Sequence, residues 1–112
     1  MRNIREGKNA LIITLNGEID QYAAAELKEF IDIEIQSTSK KNIIIDLREV
    51  DMMDSSGIGL IVGRYKSATS LGKKFAVCNA NETVKRMIEL SGITRVINYH
   101  NTLSVAEKMM SN

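Results

Sequence analysis

The stretch NIIIDLREVDMMDSSGIGLIVGRYK, residues 42–66, decides the fold of this 112-residue chain. It begins with NIIIDL, an apolar and β-branched run that is typical of a buried strand. An Asp-Ser-Ser turn follows, and behind it apolar residues recur at helical spacing as far as Ser70. A buried strand that passes through a polar turn into a helix predicts a βα unit.

Strands and helices alternate along the rest of the chain as well. The predicted strands are residues 4–6, 10–15, 42–47, 74–78 and 96–97. The predicted helices are residues 21–36, 57–70, 82–90 and 103–110. Asp20 stands where the first helix needs an N-cap, and Ser91-Gly92 closes the third helix. The alternation predicts an α/β domain in which the first two strands form a hairpin and the later strands run parallel, joined by right-handed crossovers.

The composition excludes several classes of protein. The chain has 15 basic and 14 acidic residues and a net charge of +1, so no nucleic-acid-binding or membrane-binding surface is expected. A single cysteine cannot form an internal disulfide. The charged segment 1–8 lacks the apolar core of a signal peptide, and no apolar run is long enough for a membrane span. We therefore expect a cytoplasmic protein.

The Asp-Ser-Ser-Gly turn lies at the carboxyl end of a predicted strand, where α/β sheets usually carry their functional surface. Its spacing does not match a P-loop, a dinucleotide-binding loop or a nucleophile elbow. The only histidine, His100, and the only cysteine, Cys78, are too few for a metal site and offer no catalytic triad. We therefore expect no enzymatic activity, no cofactor and no metal.

Three glycines interrupt the helix predicted after this turn, although each interior glycine costs a helix about 1 kcal/mol. An advance of about 100° per residue places one set of side chains toward the core: Ile58, Ile61, Val62, Tyr65 and Ala68. The opposite side carries Ser56, Gly59, Gly63 and Ser67, with Leu60 and Arg64 beside them. Small residues next to an exposed Leu60 predict a shallow surface on which another protein docks.

Two structural explanations compete with docking. Ser55 or Ser56 can simply cap the helix, which is the commonest role of a serine at a helix start. The glycines can instead allow tight packing within the domain itself. The sequence leaves both explanations open.

The segment VDMMDSSGIGLIVGRYK closely resembles the phosphorylation-site segment of the bacterial STAS-domain anti-sigma factor antagonists. LNGEIDQYAAAELK resembles the acidic segment before their first helix, and KKFAVCNANETVKRMIELSGITRVI resembles their third strand, third helix and Ser-Gly turn. The DSSG form is more like the sporulation members than the general-stress members, which often carry DSTG. The resemblance implies one STAS domain over residues 1–112, with a mixed sheet of four to five strands and about four helices packed mainly on one face.

The resemblance also implies a regulator that changes partners when it is phosphorylated. Ser55 matches the serine that is phosphorylated in the family, and the kinase is the anti-sigma factor itself, which binds the ATP. The unphosphorylated form holds the anti-sigma factor and frees the sigma factor; phosphorylation releases the partner, and a metal-dependent serine phosphatase reverses the change. The residues expected to contact the partner are Asp20, Asp54, Ser56, Gly57, Gly59, Leu60, Gly63 and Arg64.

Several of these positions have a second interpretation. Asp20 either contacts the kinase or only caps the first helix, and Arg64 pairs either with the partner or with a nearby carboxylate of its own chain. Other side chains are expected to have no direct role. Tyr65 and Met52 or Met53 are predicted in the core, Cys78 in a buried strand and His100 in a loop.

A second functional hypothesis is a STAS scaffold module of a stress-signalling assembly, or a sensor of a small ligand. It predicts stable self-association, whereas a phosphorylation-switched antagonist is expected to be a monomer. A small hydrolase that uses Ser55 or Ser56 is a third hypothesis, but the sequence offers no base or oxyanion site for it.

Overall fold

A computed structural model describes residues 2–111 of the chain. The strands are β1 (Arg2–Glu6), β2 (Ala10–Ile19), β3 (Asn42–Met53), β4 (Lys74–Cys78) and β5 (Asn98–His100). The α-helices are α1 (Gln21–Ser37), α2 (Ser55–Ser70), α3 (Glu82–Ser91) and α4 (Leu103–Met110), and a 3₁₀ turn spans Ile93–Arg95.

The five strands form one sheet in the order β1-β2-β3-β4-β5. β1 pairs antiparallel with β2, and each later pair of neighbours is parallel. The predicted α/β class, the N-terminal hairpin and the parallel later strands are therefore confirmed. Parallel neighbours require crossover connections, and α1, α2 and α3 lie within them.

The helices are distributed unequally over the two faces of the sheet. The large core lies between one sheet face and the helices α1, α2 and α3, and it includes Ile13, Ile45 and Val77 from the central strands. A smaller cluster on the other face packs Ile12 and Ile44 against α4. The prediction of about four helices mainly on one face is confirmed.

Three predicted strand boundaries are wrong, and the first two of them matter for the site. β2 and β3 run well past the apolar residues that predicted them and end at Ile19 and Met53. The last strand begins at Asn98 instead of residue 96, because residues 93–95 form a 3₁₀ turn that leaves Val96 exposed. His100 therefore belongs to a strand and not to a loop.

Candidate functional site

The ends of β2 and β3 bring two helix starts side by side. Two register shifts along this strand pair still leave Ile19 opposite Met53, the last residue of each strand. The Asp54 backbone N–H donates to the Ile19 carbonyl oxygen at 3.3 Å. Asp20 and Asp54, which follow the two strands, therefore stand next to each other at the carboxyl edge of the sheet, where functional surfaces of α/β folds usually lie.

Both aspartates are helix caps. Asp20 Oδ1 accepts from the Tyr22 and Ala23 backbone N–H groups at 3.1 and 2.9 Å. Asp54 Oδ1 accepts from the Ser56 N–H at 2.8 Å. The predicted N-cap role of Asp20 is confirmed. The prediction that Ser55 or Ser56 caps α2 is wrong, because the helix begins two residues earlier than expected and Asp54 occupies the cap position.

Ser55 is consequently the first residue of α2, and it is exposed. Its neighbour Ser56 is half-buried. At this position the hydroxyl stands beside the backbone N–H groups of the first turn, which carry the positive end of the helix dipole. An incoming active site can reach Ser55, and negative charge placed there is partly compensated by the helix.

The buried face of α2 is rotated relative to the prediction. Leu60, which was expected on the surface, is only 5% exposed, whereas the predicted core residues Ile58, Val62 and Tyr65 are half-buried at the margin of the core. The reason is that α2 packs against α1 as well as against the sheet, so it buries a wider stripe than one helical face. Leu60 is a core residue, and its expected contact with a partner is wrong.

Arg64 is also buried, with 6% of its surface exposed. Its Nε lies 2.7 Å from Oδ1 of Asp32 on α1, as an ion pair whose N–H is not aligned for a hydrogen bond. Of the two interpretations of Arg64, the pair within its own chain is confirmed. The guanidinium is therefore committed to α1, and little of its surface is open to a partner.

The three glycines of α2 differ in the space around them. A Cβ on Gly57 would lie 2.7 Å from the Met53 Cβ, so the close approach of β3 to α2 requires a glycine there. A Cβ on Gly59 or Gly63 would have no atom within 4 Å. Packing within the domain therefore explains Gly57 and does not explain Gly59 and Gly63. These two glycines form an open floor, which is a surface without side chains on the outer side of α2.

The surroundings of Ser55 combine acidic and apolar side chains. The exposed acidic residues here are Glu18, Asp20 and Asp54. Met52 is 51% exposed, and a small recess beside it is lined by Ile19, Met53 and the flanking acidic residues. The expectation that Met52 or Met53 lies in the core is confirmed for Met53, and Met52 is exposed because adjacent residues of a strand point to opposite faces.

Tyr22 is an exposed aromatic residue beside the Asp20 cap that the sequence analysis did not single out. It follows the Asp20 cap by two positions and is 78% exposed. Its neighbours Ala23 and Ala24 face the core, so the helical register itself places Tyr22 outside. The helical register of α1 could therefore have predicted that Tyr22 is exposed.

The remaining candidate groups do not form a second chemical site. Cys78 is buried in β4, as predicted, and burial, with smaller contributions from Asp46 and Glu107, raises the pKa of its thiol from 9.0 to about 12. Within residues 2–111, no group of three or more His, Cys, Asp or Glu side chains could hold a metal ion. Over the same residues, no helix is both long and apolar enough to span a bilayer.

Residues 1–106 match the profile of the STAS domain family. The chain belongs to the STAS domain family. The two aspartate caps and Ser55 all lie within the matched part of this STAS domain.

Known proteins similar to this STAS domain include two curated relatives. An anti-sigma F factor antagonist of Paenibacillus polymyxa is 34% identical over 90 residues, which cover 80% of this chain and 77% of that protein. An anti-sigma-B factor antagonist of Listeria monocytogenes is 33% identical over 91 residues, with the same coverage of 80% and 77%.

A crystal structure from Thermotoga maritima, provisionally assigned as an anti-sigma factor antagonist, has the same fold. It superposes on this STAS domain with a TM-score of 0.90 at 26% identity and covers 99% of this chain and 95% of that one. The strand order, the paired helix starts and the position of α4 therefore belong to a fold that has been solved experimentally.

Proposed function

We propose that this protein is an anti-sigma factor antagonist that is switched by phosphorylation of Ser55. The unphosphorylated form binds an anti-sigma factor and so releases a sigma factor. The anti-sigma factor is also the kinase, and it transfers phosphate from its own bound ATP to Ser55. The phosphorylated form dissociates, and a metal-dependent serine phosphatase restores it. The protein is thus a ligand and a substrate, not a catalyst.

The observation that carries this proposal is that Ser55 is exposed at the first position of α2. A side chain sealed in the core could not enter a kinase active site, whereas Ser55 lies on the open carboxyl edge of the sheet. The names of the relatives from Paenibacillus polymyxa and Listeria monocytogenes support the same function.

The charges around Ser55 explain how phosphate would act as a switch. Phosphate adds roughly −1.5 to −2 charge at pH 7, next to Asp54 and close to Asp20. A partner that packs closely on this surface would bury the added phosphate charge without compensation, and any carboxylate of its own would be repelled, so phosphorylation weakens binding. A loss of about 3 kcal/mol at such an interface weakens binding more than a hundredfold.

The fold itself should change little on phosphorylation. The first-turn N–H groups and the helix dipole of α2 favour an anion at this end of the helix, and the Asp54 cap already holds the turn through Ser56. The effect is therefore expected at the docking surface and not in the core. Similar circular dichroism spectra of the two forms would agree with this.

The test of the modification is incubation with the purified anti-sigma factor of the same organism and ATP, followed by mass spectrometry. We expect one phosphate on Ser55 in the wild type and none in Ser55→Ala. Phosphate on Ser67 or Thr69 of the same helix, or no incorporation at all, would overturn the assignment.

The test of the switch is calorimetric titration with the same anti-sigma factor. Ser55→Ala should bind like the wild type, and Ser55→Asp should bind at least a hundredfold more weakly. Ser104→Asp is the matched control, because Ser104 is also an exposed residue in the first turn of a helix but lies on α4, across the sheet. Equal weakening in Ser55→Asp and Ser104→Asp would contradict a local switch.

A further inference from the structure

A second surface of this molecule lies apart from the Ser55 site. It is a groove of about 330 Å³ between the later half of α2 and the segment that follows α3. Its lining residues are Val62, Tyr65, Lys66, Ser91, Gly92, Ile93, Val96 and Ile97. Val96 on its rim is 63% exposed, which is unusual for a branched apolar side chain next to other apolar groups.

The shape of the groove depends on the turn after α3. Gly92 ends α3 in the left-handed conformation, with φ +83°, and its N–H donates to the Glu89 carbonyl oxygen. The 3₁₀ turn that follows folds Ile93 and Val96 back toward α2, where Ile97 is buried as an anchor. This wall is built from backbone hydrogen bonds and a core contact, so the groove is preformed.

The groove lies on the same side of the molecule as the switch, farther along the same helix. Lys66 follows Ser55 by eleven positions, which corresponds to about 16 Å along the axis of α2. The open floor at Gly59 and Gly63 lies between these two residues. A partner that approaches Ser55 and lies along α2 therefore reaches the groove without leaving the helix.

The outer side of α2 from Ser55 to the groove forms a continuous track, and the charges at its two ends are opposite. The Ser55 end carries exposed carboxylates, among them its neighbour Asp54 and the adjacent Asp20. In the groove, Lys66 is the one charged lining residue, and the exposed Arg95 stands on the turn that forms its wall. The track is therefore negative near the hydroxyl and positive near the groove, which defines the direction in which a charged partner can lie.

We propose that the groove holds an apolar side chain flanked by carboxylates, contributed by the same anti-sigma factor that acts on Ser55. The inference rests on the proposed function and names the second contact of that interface. The apolar walls accept the side chain, and Lys66 and Arg95 pair with the carboxylates. Phosphate on Ser55 acts on the first contact and leaves the residues of the groove unchanged.

The experiment is calorimetric titration of the purified anti-sigma factor of the same organism with single variants of the groove. Val96→Asp puts a charge in the apolar wall, and Lys66→Glu reverses the charge at the rim; each should raise Kd about tenfold or more. Both side chains are exposed, so the variants should keep the fold. Higher salt should also weaken wild-type binding more than binding of Lys66→Glu.

Matched controls lie on α4, on the other side of the sheet. Val105→Asp and Lys108→Glu make the same changes at exposed positions and should leave Kd within about twofold of the wild type. If the groove variants bind like the wild type while Ser55→Asp does not bind, the groove inference is wrong and the switch stands. If the wild type itself does not bind, the proposed function fails and the inference fails with it.

Discussion

At the scale of single residues, the site consists of a serine placed by an aspartate. Asp54 caps α2 and so makes Ser55 the first helical residue, and Asp20 does the same for the neighbouring helix α1. Because the two caps follow paired strand ends, one arrangement determines both the fold and the charge around the hydroxyl. Capping therefore accounts for Asp20 structurally and does not exclude a contact with the kinase.

Replacement of Asp20 by asparagine separates its two roles. Asparagine caps helices about as well as aspartate, so the unfolding free energy of Asp20→Asn should stay within about 0.5 kcal/mol of the wild type in urea titrations. Loss of the charge should slow phosphorylation of Ser55 if Asp20 contacts the kinase. Asp20→Ala is the comparison, and it should lose about 1 kcal/mol of stability as well. Unchanged phosphorylation in both variants would leave Asp20 as a cap alone.

At the scale of secondary structure elements, α2 has two different sides. Its inner side is fixed by Leu60 in the core and by the Arg64–Asp32 pair with α1. Arg64 is buried while Asp32 is partly exposed, so removal of Asp32 would leave a buried guanidinium without its compensating charge. The outer side contains Gly59 and Gly63, which nothing in the described residues 2–111 requires to be glycine.

Alanine at the glycines of α2 tests whether the outer side is reserved for a partner. Gly59→Ala and Gly63→Ala should each raise the unfolding free energy by about 0.5–1 kcal/mol, because a Cβ meets nothing there and alanine favours the helix. Gly57→Ala should lower it, because its Cβ would collide with Met53. Urea titration measures both effects.

The same glycine variants should differ from the wild type in binding. If the partner's backbone lies on the open floor, Gly59→Ala and Gly63→Ala weaken binding to the anti-sigma factor although they stabilise the fold. Calorimetry on the same samples compares the two quantities. Stabilised variants that bind with wild-type affinity would show that close approach at these glycines is not needed.

At the scale of the whole molecule, the proposed docking surfaces lie on one side of the sheet. Ser55, the glycine floor and the groove all lie along α2, while α4 covers part of the opposite face with a smaller cluster that includes Cys78. We expect a monomer, and light scattering that showed a large stable particle would instead favour the scaffold hypothesis. The buried thiol makes the stability of this second cluster sensitive to pH.

The pH dependence follows from the direction of the Cys78 shift. Burial, with smaller contributions from Asp46 and Glu107, raises the pKa of the thiol from 9.0 to about 12 in the folded state, so the unfolded state loses this proton first as pH rises. The contribution of the thiol is constant below pH 9 and falls between about pH 9 and 12, by up to about 1.4 kcal/mol per pH unit. Urea titrations should show this extra slope in the wild type and not in Cys78→Ala; identical slopes would contradict it.

Much of this fold could be predicted because its signals are local. Runs of β-branched residues such as ALIITL and KFAVC, the Asp20 cap and the Gly92 stop depend on neighbours within a few positions, and the structure confirms each of them. The exposed position of Ser55 depends on the same local chemistry. The wrong surface position expected for Leu60 has another origin.

By itself, the sequence determined the order of strands and helices, the hairpin and the site of the serine turn, because periodicity and capping act over a few residues. Only the tertiary structure decided which side of α2 is free, since that depends on where α1 packs. A helix in contact with both a sheet and another helix buries a stripe wider than any single-face projection predicts. For the same reason Leu60 and Arg64 are buried. The outer side of α2 therefore offers a partner the two glycines and the groove.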